Sequence, residues 1–257
     1  MRRPMCFVFL LLFCFCSQAF AATITDEYYG HYKGKKKYRK KDVVGDPKKF
    51  DVDSMQLTID DATGDVEIKI ATNYEQGNGN TDFGDLFIST NGWKVDGKAS
   101  KHYVTDKYQP DSWDYVLHGN DQTQANDIFN VKDDKILLSQ DWHDVNGVHY
   151  DNGGIREDSE VSYDGTGQDA VGQFKFGFTP AQGNGWNYVT YSFNLASLGL
   201  SPTDELNLAF HWTMTCANDV IQGSFYRPGS AIPEPGTMML MGMGLIGLGA
   251  LGRKRFH

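Results

Sequence analysis

Six acidic and amide side chains in glycine-rich loops carry the oxygen ligands that calcium prefers. They are Asp82, Asp85, Asp151, Asn152, Asn218 and Asp219. Calcium is a hard cation that takes several carboxylate, amide and carbonyl oxygens, and loops between strands often supply them. No EF-hand spacing occurs, and Asp, Asn and Gly also form turns without any ligand. The turn interpretation is therefore favoured, with calcium as the candidate cofactor.

Histidine and cysteine do not form a second metal pattern. His143 and His149 lie in DWHDVNGVHY, and His211 lies in an alternating stretch, but no tight His-x-His or His-Glu-x-x-His spacing is present. Solvated histidines are the favoured interpretation. Cys216 falls in step with the apolar residue Met214, so we expect a buried, inert thiol rather than a nucleophile.

Catalytic patterns are weak in this chain. A glycosidase needs two carboxylates that face each other across a cleft, whereas Glu157 and Glu160 in REDSE are out of step for one strand face. No Gly-x-Ser-x-Gly motif for a serine hydrolase occurs. The sequence therefore favours a non-enzymatic protein.

Two features suggest binding to polymers. Six of the seven cations in the block KGKKKYRKK lie close enough together to hold an acidic polysaccharide, and a solvated tail is the alternative; they are Lys35, Lys36, Lys37, Arg39, Lys40 and Lys41. Trp93, Trp113, Trp142 and Trp186 lie in or beside predicted loops. Exposed rings can stack on sugars, although most tryptophans in β-proteins are core, as we expect for Trp212.

Alternating apolar residues recur along the body of the chain, and long helical periodicity does not. Residues 55–59 and 66–70 flank an Asp/Gly turn and predict a β-hairpin. Further strands are predicted at 84–90, 113–118, 135–139, 173–179, 188–194, 206–216 and 220–226, with a helical turn at 195–200. The predicted class is all-β, an antiparallel and jelly-roll-like β-sandwich over residues 50–230.

The N-terminus has the pattern of a secretory signal peptide. Arg2 and Arg3 precede an apolar run at 7–15, and Ala19-Phe20-Ala21 offers small residues on both sides of a cleavage position. We predict a signal peptide over 1–21, followed by a basic, flexible segment over 22–49.

The C-terminus has three parts in a fixed order. Pro233, Glu234 and Pro235 bias the chain toward an extended conformation that a processing enzyme can reach. An uncharged stretch at 237–252 then predicts a transmembrane helix. Three cations follow and would hold their end on the cytoplasmic side of the inner membrane; they are Arg253, Lys254 and Arg255.

This tail, residues 231–257, resembles the PEP-CTERM sorting signal. The resemblance implies a Gram-negative bacterium that makes exopolysaccharide, and processing by exosortase, a membrane-embedded transpeptidase thought to cut near Pro-Glu-Pro. It implies a precursor anchored in the inner membrane and then release to the cell surface or the extracellular matrix.

Charge and cysteine content agree with export. The chain of 257 residues has a net charge of −9. Loss of both predicted signals would remove five positive charges and one negative charge, giving −13, which argues against nucleic acid as a partner. Three of the four cysteines lie in the predicted signal peptide, so no internal disulfide is expected after cleavage.

These observations predict a secreted protein with a structural or adhesive role in exopolysaccharide or biofilm. The alternative is a calcium-assisted carbohydrate-binding module, and the third hypothesis is a polysaccharide-active hydrolase. Exosortase is the expected transient partner, and exopolysaccharide or another surface glycan is the candidate ligand.

Overall fold

A computed structural model of the chain describes residues 19–26, 43–76, 81–92, 108, 110–146, 156–183, 185–229 and 241–246. The strands are β1 (Ala19–Thr25), β2 (Val52–Asp60), β3 (Asp65–Thr72), β4 (Leu86–Ser89), β5 (Tyr115–His118), β6 (Ala125–Asn130), β7 (Ile136–Leu138), β8 (Glu160–Tyr163), β9 (Gly172–Thr179), β10 (Asn187–Asn194), β11 (Leu206–Thr213) and β12 (Val220–Arg227).

Helical structure is sparse in these ranges. The α-helices are α1 (Pro47–Phe50) and α2 (Ser139–Asn146), and 3₁₀ helices cover Asp133–Lys135 and Leu195–Leu198. Asp46 caps α1 by accepting a hydrogen bond from the backbone N–H of Lys48, and Pro47 provides the fixed φ of a first helical residue. Residues 241–246 are also helical. Within the ranges described, no helix has the length and hydropathy to span a membrane.

Ten strands form one antiparallel sheet in the order β1-β2-β3-β10-β9-β6-β5-β4-β11-β12. The sheet curls until its first and last strands meet. The Phe20 ring on β1 lies 4.8 Å from the Phe225 ring on β12, centroid to centroid. Ile24 occupies the space beside Gly223, where an added Cβ would come within 2.7 Å of it. The sheet is therefore nearly closed, which covers both of its edge strands.

The main core fills the inside of this curled sheet. It takes every second residue of most strands, which is why the sequence alternates. Its largest buried side chains include Trp212, Tyr191, Phe210 and Phe174. Trp212 Nε1 donates to the Tyr191 hydroxyl over 2.8 Å, so its one polar group is satisfied within the core.

A smaller layer packs on the outside of the sheet. The antiparallel pair β7–β8 covers part of β4, β5 and β11. Helix α2, which follows β7 in the chain, packs against this pair. Here Phe87 packs with Trp113, Ile136 and Tyr163 in a second cluster, while its neighbours Leu86 and Ile88 face the main core. Strand β4 is consequently buried on both faces, and its sequence LFIS does not alternate.

The structure confirms the all-β, antiparallel class and the hairpin at β2 and β3. The predicted segments 84–90, 113–118, 173–179, 188–194, 206–216 and 220–226 each contain a strand of the main sheet, and 135–139 contains β7. Ten strands form one sheet, and β7 and β8 form a separate two-stranded sheet; the jelly-roll-like sandwich stays a prediction. Three strands were missed, β1, β6 and β8. Strand β1 begins inside the predicted signal peptide, and its last four residues lie in the segment predicted to be flexible.

Candidate functional site

The carboxylate of Asp85, which lies just before β4 and is 5 % exposed, accepts four hydrogen bonds. Its Oδ2 accepts from His118 Nδ1 at 2.8 Å, from Ser162 Oγ at 3.0 Å and from the backbone N–H of Tyr163 at 2.8 Å. Its Oδ1 accepts from the backbone N–H of Gly119 at 3.1 Å. One carboxylate thereby joins the main sheet to the covering β7–β8 pair.

His118, at the end of β5, is the partly exposed member of this group, with 37 % of its side chain accessible. The adjacent Asp85 carboxylate raises the pKa of His118 above its ordinary value, against the opposing effect of burial, and Asp127 and Asp164 act in the same direction. The imidazolium is therefore favoured. The arrangement orients the His118 ring. Ser162, however, donates its hydrogen bond to the Asp85 carboxylate and not to the imidazole. The group therefore lacks the geometry of a serine nucleophile beside its base.

A second polar group lies between the main sheet and β8. Glu160 accepts from Trp113 Nε1 over 2.8 Å, and its backbone carbonyl lies 2.7 Å from His211 Nε2. His211 Nδ1 lies 2.5 Å from Gln222 Nε2. Burial raises the pKa of Glu160 to about 7, with the Trp113 hydrogen bond acting in the opposite direction.

This second group has the residue types of acid–base chemistry without access to a substrate. His211 is fully buried, and Glu160 is 3 % exposed. The rings of Phe87 and Trp113 lie within 6 Å of His211, at 5.9 and 5.7 Å between centroids. The expectation of a solvated His211 is therefore wrong, because β8 covers the outer face of β11. The group fixes β8 to the sheet.

The third polar group ties the N-terminal part of the domain to β12. Asp219 is fully buried and accepts from the backbone N–H groups of Val52, at 2.6 Å, and of Val220, at 3.1 Å. Nearby, burial raises the pKa of Asp51 to about 7, and the neighbouring carboxylates Asp26 and Asp53 add to the increase. Thr72 Oγ1 donates to the backbone carbonyl of Asp51 over 2.9 Å.

Three of the four calcium candidates that the structure describes have protein donors as partners, whereas the side-chain oxygen of Asn218 is buried and accepts no hydrogen bond from the described residues. Asp82 Oδ1 accepts from Asn120 Nδ2 and from its own neighbour's N–H, each at 2.8 Å, and Asp85 and Asp219 are occupied as above. Gly84 between them is required for packing, since an added Cβ would lie 2.4 Å from the Thr213 carbonyl oxygen. Among the residues placed by the structure, no three His, Cys, Asp or Glu side chains converge as a metal site. Asp151 and Asn152 lie outside them, and calcium binding stays a prediction.

The predictions for the cysteine, tryptophan and histidine residues are confirmed at some positions and wrong at others. Cys216 is a free, buried thiol, as predicted, and burial raises its pKa to about 12. Trp212 is core, as predicted, but Trp113 is also buried and is not available for sugar stacking. His143 is buried rather than solvated, and burial lowers its pKa. Trp142 and Trp186 are partly exposed.

Three sets of predicted residues lie outside the described ranges. They are Trp93 and His149, the basic block at 33–41, and the sorting residues Pro233, Glu234, Pro235, Arg253, Lys254 and Arg255. Residues 241–246 are the described part of the predicted transmembrane helix at 237–252. Their side chains Met241, Met243, Leu245 and Ile246 are exposed.

Comparison with known proteins identifies the tail. Residues 231–255 match the PEP-CTERM protein-sorting motif, which confirms the resemblance found in the sequence. The motif implies exosortase-dependent sorting of an exported protein, through a membrane-anchored precursor that is then processed. No curated protein and no solved structure matches the chain.

Proposed function

We propose that this chain is a non-enzymatic protein of the cell surface or extracellular matrix of a Gram-negative bacterium. Exosortase processes its tail, and the folded domain then serves a structural or adhesive role in exopolysaccharide or biofilm. The observation that carries this proposal is the sorting motif at residues 231–255.

The folded domain supports a structural role. Its acid–base groups Asp85, Glu160, His211 and Asp219 are buried and bonded to other parts of the domain. Such groups hold strands together, and a buried network that is fully bonded specifies one packing arrangement. The nearly closed sheet also covers its edges, which suits a protein that must persist outside the cell without a disulfide.

The alternative is a calcium-assisted carbohydrate-binding module on a jelly-roll-like sandwich. The outer face of β3, β10 and β9, described below, favours the sugar-binding part of this alternative. Calcium would be tested by thermal unfolding with calcium and with a chelator, where superimposable curves would exclude it.

The experiment for the proposed function compares three forms of the protein in the producing bacterium. They are the intact chain, a chain that lacks residues 231–257, and a control with Lys48→Ala and Lys49→Ala, which removes two exposed cations from α1. We expect the intact and control chains in the surface and matrix fractions, and the shortened chain outside them. Circular dichroism of the shortened chain checks that the domain still folds.

Equal amounts of the shortened and intact chains in the matrix fraction would contradict the proposal. The same comparison in cells without exosortase activity separates sorting by the tail from adhesion by the domain.

A further inference from the structure

The outer face of β3, β10 and β9 is a regular polar surface. Residues paired across antiparallel strands point to the same side of a sheet. Thr190 is paired with Lys69 on β3 and with Gly177 on β9, and Ser192 is paired with Lys175. Their neighbours in the chain, such as Val189 and Tyr191, are buried in the main core. We call Lys69, Lys175, Gly177, Tyr188, Thr190 and Ser192 the lysine face.

Charge distinguishes this surface from the rest of the sheet. The chain is acidic, with a net charge of −9, and the ten strands of the main sheet contain two lysines, Lys69 and Lys175. Both lie on this one face, on either side of β10. They are two strands apart and offset by two residues, which places their Cα atoms about 12 Å from each other.

The shape of the lysine face suits a ring laid flat on it. Gly177 has no side chain, and an added Cβ would meet only the Thr190 Cβ, at 3.7 Å, so the centre of the face is open and shallow. Beside it, Lys69 Nζ lies 4.1 Å from the centroid of the Tyr188 ring, which holds the ammonium in place. The partly exposed Trp186 precedes Tyr188 by two residues.

We propose that the lysine face binds an acidic polysaccharide, a polymer of sugars that carry carboxylate groups. With their Cα atoms about 12 Å apart, the two lysines can contact successive carboxylates of a chain. Thr190 and Ser192 supply hydroxyl groups for the sugar between them. The same side of β3 also carries two carboxylates, Glu67, which is paired with Ser192 in the row of Lys175, and Asp65, which is paired with Asn194. The inference rests on the proposed function and names its glycan and its binding surface.

The test measures binding of the processed protein, recovered from the producing cells, to polygalacturonate, with neutral dextran as the comparison polymer. Lys69→Ala with Lys175→Ala should weaken polygalacturonate binding about tenfold, since each exposed charge contact contributes roughly 0.7 kcal/mol. Gly177→Val should weaken binding without loss of stability, because the site has room for the side chain and valine favours strands. Glu67→Gln should strengthen binding.

The matched control is Lys132→Ala, which removes an exposed lysine outside the main sheet and should leave binding unchanged. A second control neutralises the basic block at 33–41, which separates its contribution from that of the lysine face. Equal binding by the original protein, the double lysine variant and Gly177→Val would overturn the inference, as would equal binding of dextran and polygalacturonate. Either result leaves the sorting of the protein unaffected, so the two proposals fail separately.

Discussion

At the scale of single residues, the buried carboxylates show what sequence reasoning can and cannot find. Asp85 lies in NTDFGDLF, a composition typical of turns and calcium loops. Its hydrogen-bond partners His118 and Tyr163 lie 33 and 78 residues further along the chain, and no local pattern reveals them. The burial of Cys216 was predicted correctly from the alternating pattern, although the residue lies in the turn after β11 rather than in the strand itself.

Glu160 gives a pH prediction at this scale. Burial raises its pKa from 4.5 to about 7, so its contribution to stability is complete below about pH 4.5 and is lost as the pH rises through about 7. Glu160→Gln keeps an acceptor for Trp113 but carries no charge. We expect the two unfolding free energies to differ by less than about 1 kcal/mol at pH 5, and the variant to be roughly 2–4 kcal/mol more stable at pH 8.

Urea unfolding at the two pH values checks this prediction. Glu157→Gln is the matched control, since it changes an exposed glutamate in the same segment and should shift stability by less than about 0.5 kcal/mol. The prediction is wrong if the unfolding free energies of the Glu160→Gln variant and the original protein differ by the same amount at pH 5 and at pH 8. That result would show that the folded and unfolded states do not differ in the ionisation of Glu160 over this pH range.

At the scale of elements, the apolar pattern identified nine strands, including β4 and β11, which are buried on both faces, and missed β1, β6 and β8. Strands β9, β10 and β12 were predicted nearly to their ends, because water covers their outer faces. β8 is only four residues long and mostly buried, and β6 has the polar sequence ANDIFN. β1 was missed because Ala19-Phe20-Ala21 also fits a signal-peptidase cleavage pattern. The same stretch can fit both a cleavage site and a β-strand.

The contact between β1 and β12 gives a prediction at the scale of elements. Gly223→Val would force a side chain against Ile24, whose nearest atom lies 2.7 Å from the ideal Cβ position. We expect a loss of about 1–3 kcal/mol in unfolding free energy. Adding Ile24→Ala should restore part of it, because the two side chains compete for the same space.

Thermal unfolding of the single and double variants measures this coupling. Gly177→Ala is the control, because that glycine lies in the same sheet with open space above it, and it should unfold at an unchanged or higher temperature. Strictly additive effects of Gly223→Val and Ile24→Ala would mean that β1 does not pack on β12 in the mature protein.

At the scale of the whole molecule, destination and domain architecture come from different parts of the chain. The tail at 231–255 was identified from three short features in order, and the comparison with known motifs confirms it. The curled sheet could not be derived from strand positions, because the pairing of distant strands such as β4 with β11 depends on the assembled core. The lysine face likewise becomes visible only when the register of β3, β9 and β10 is known.

Mass spectrometry of the protein collected outside the cell tests the sorting claim most directly. Exosortase processing predicts a chain whose C-terminus lies near Pro233-Glu234-Pro235 and that lacks residues 253–257. The same spectrum shows whether the N-terminus is Ala22 or retains the first residues of β1. External protein that still carries Arg253 through His257 would contradict the account.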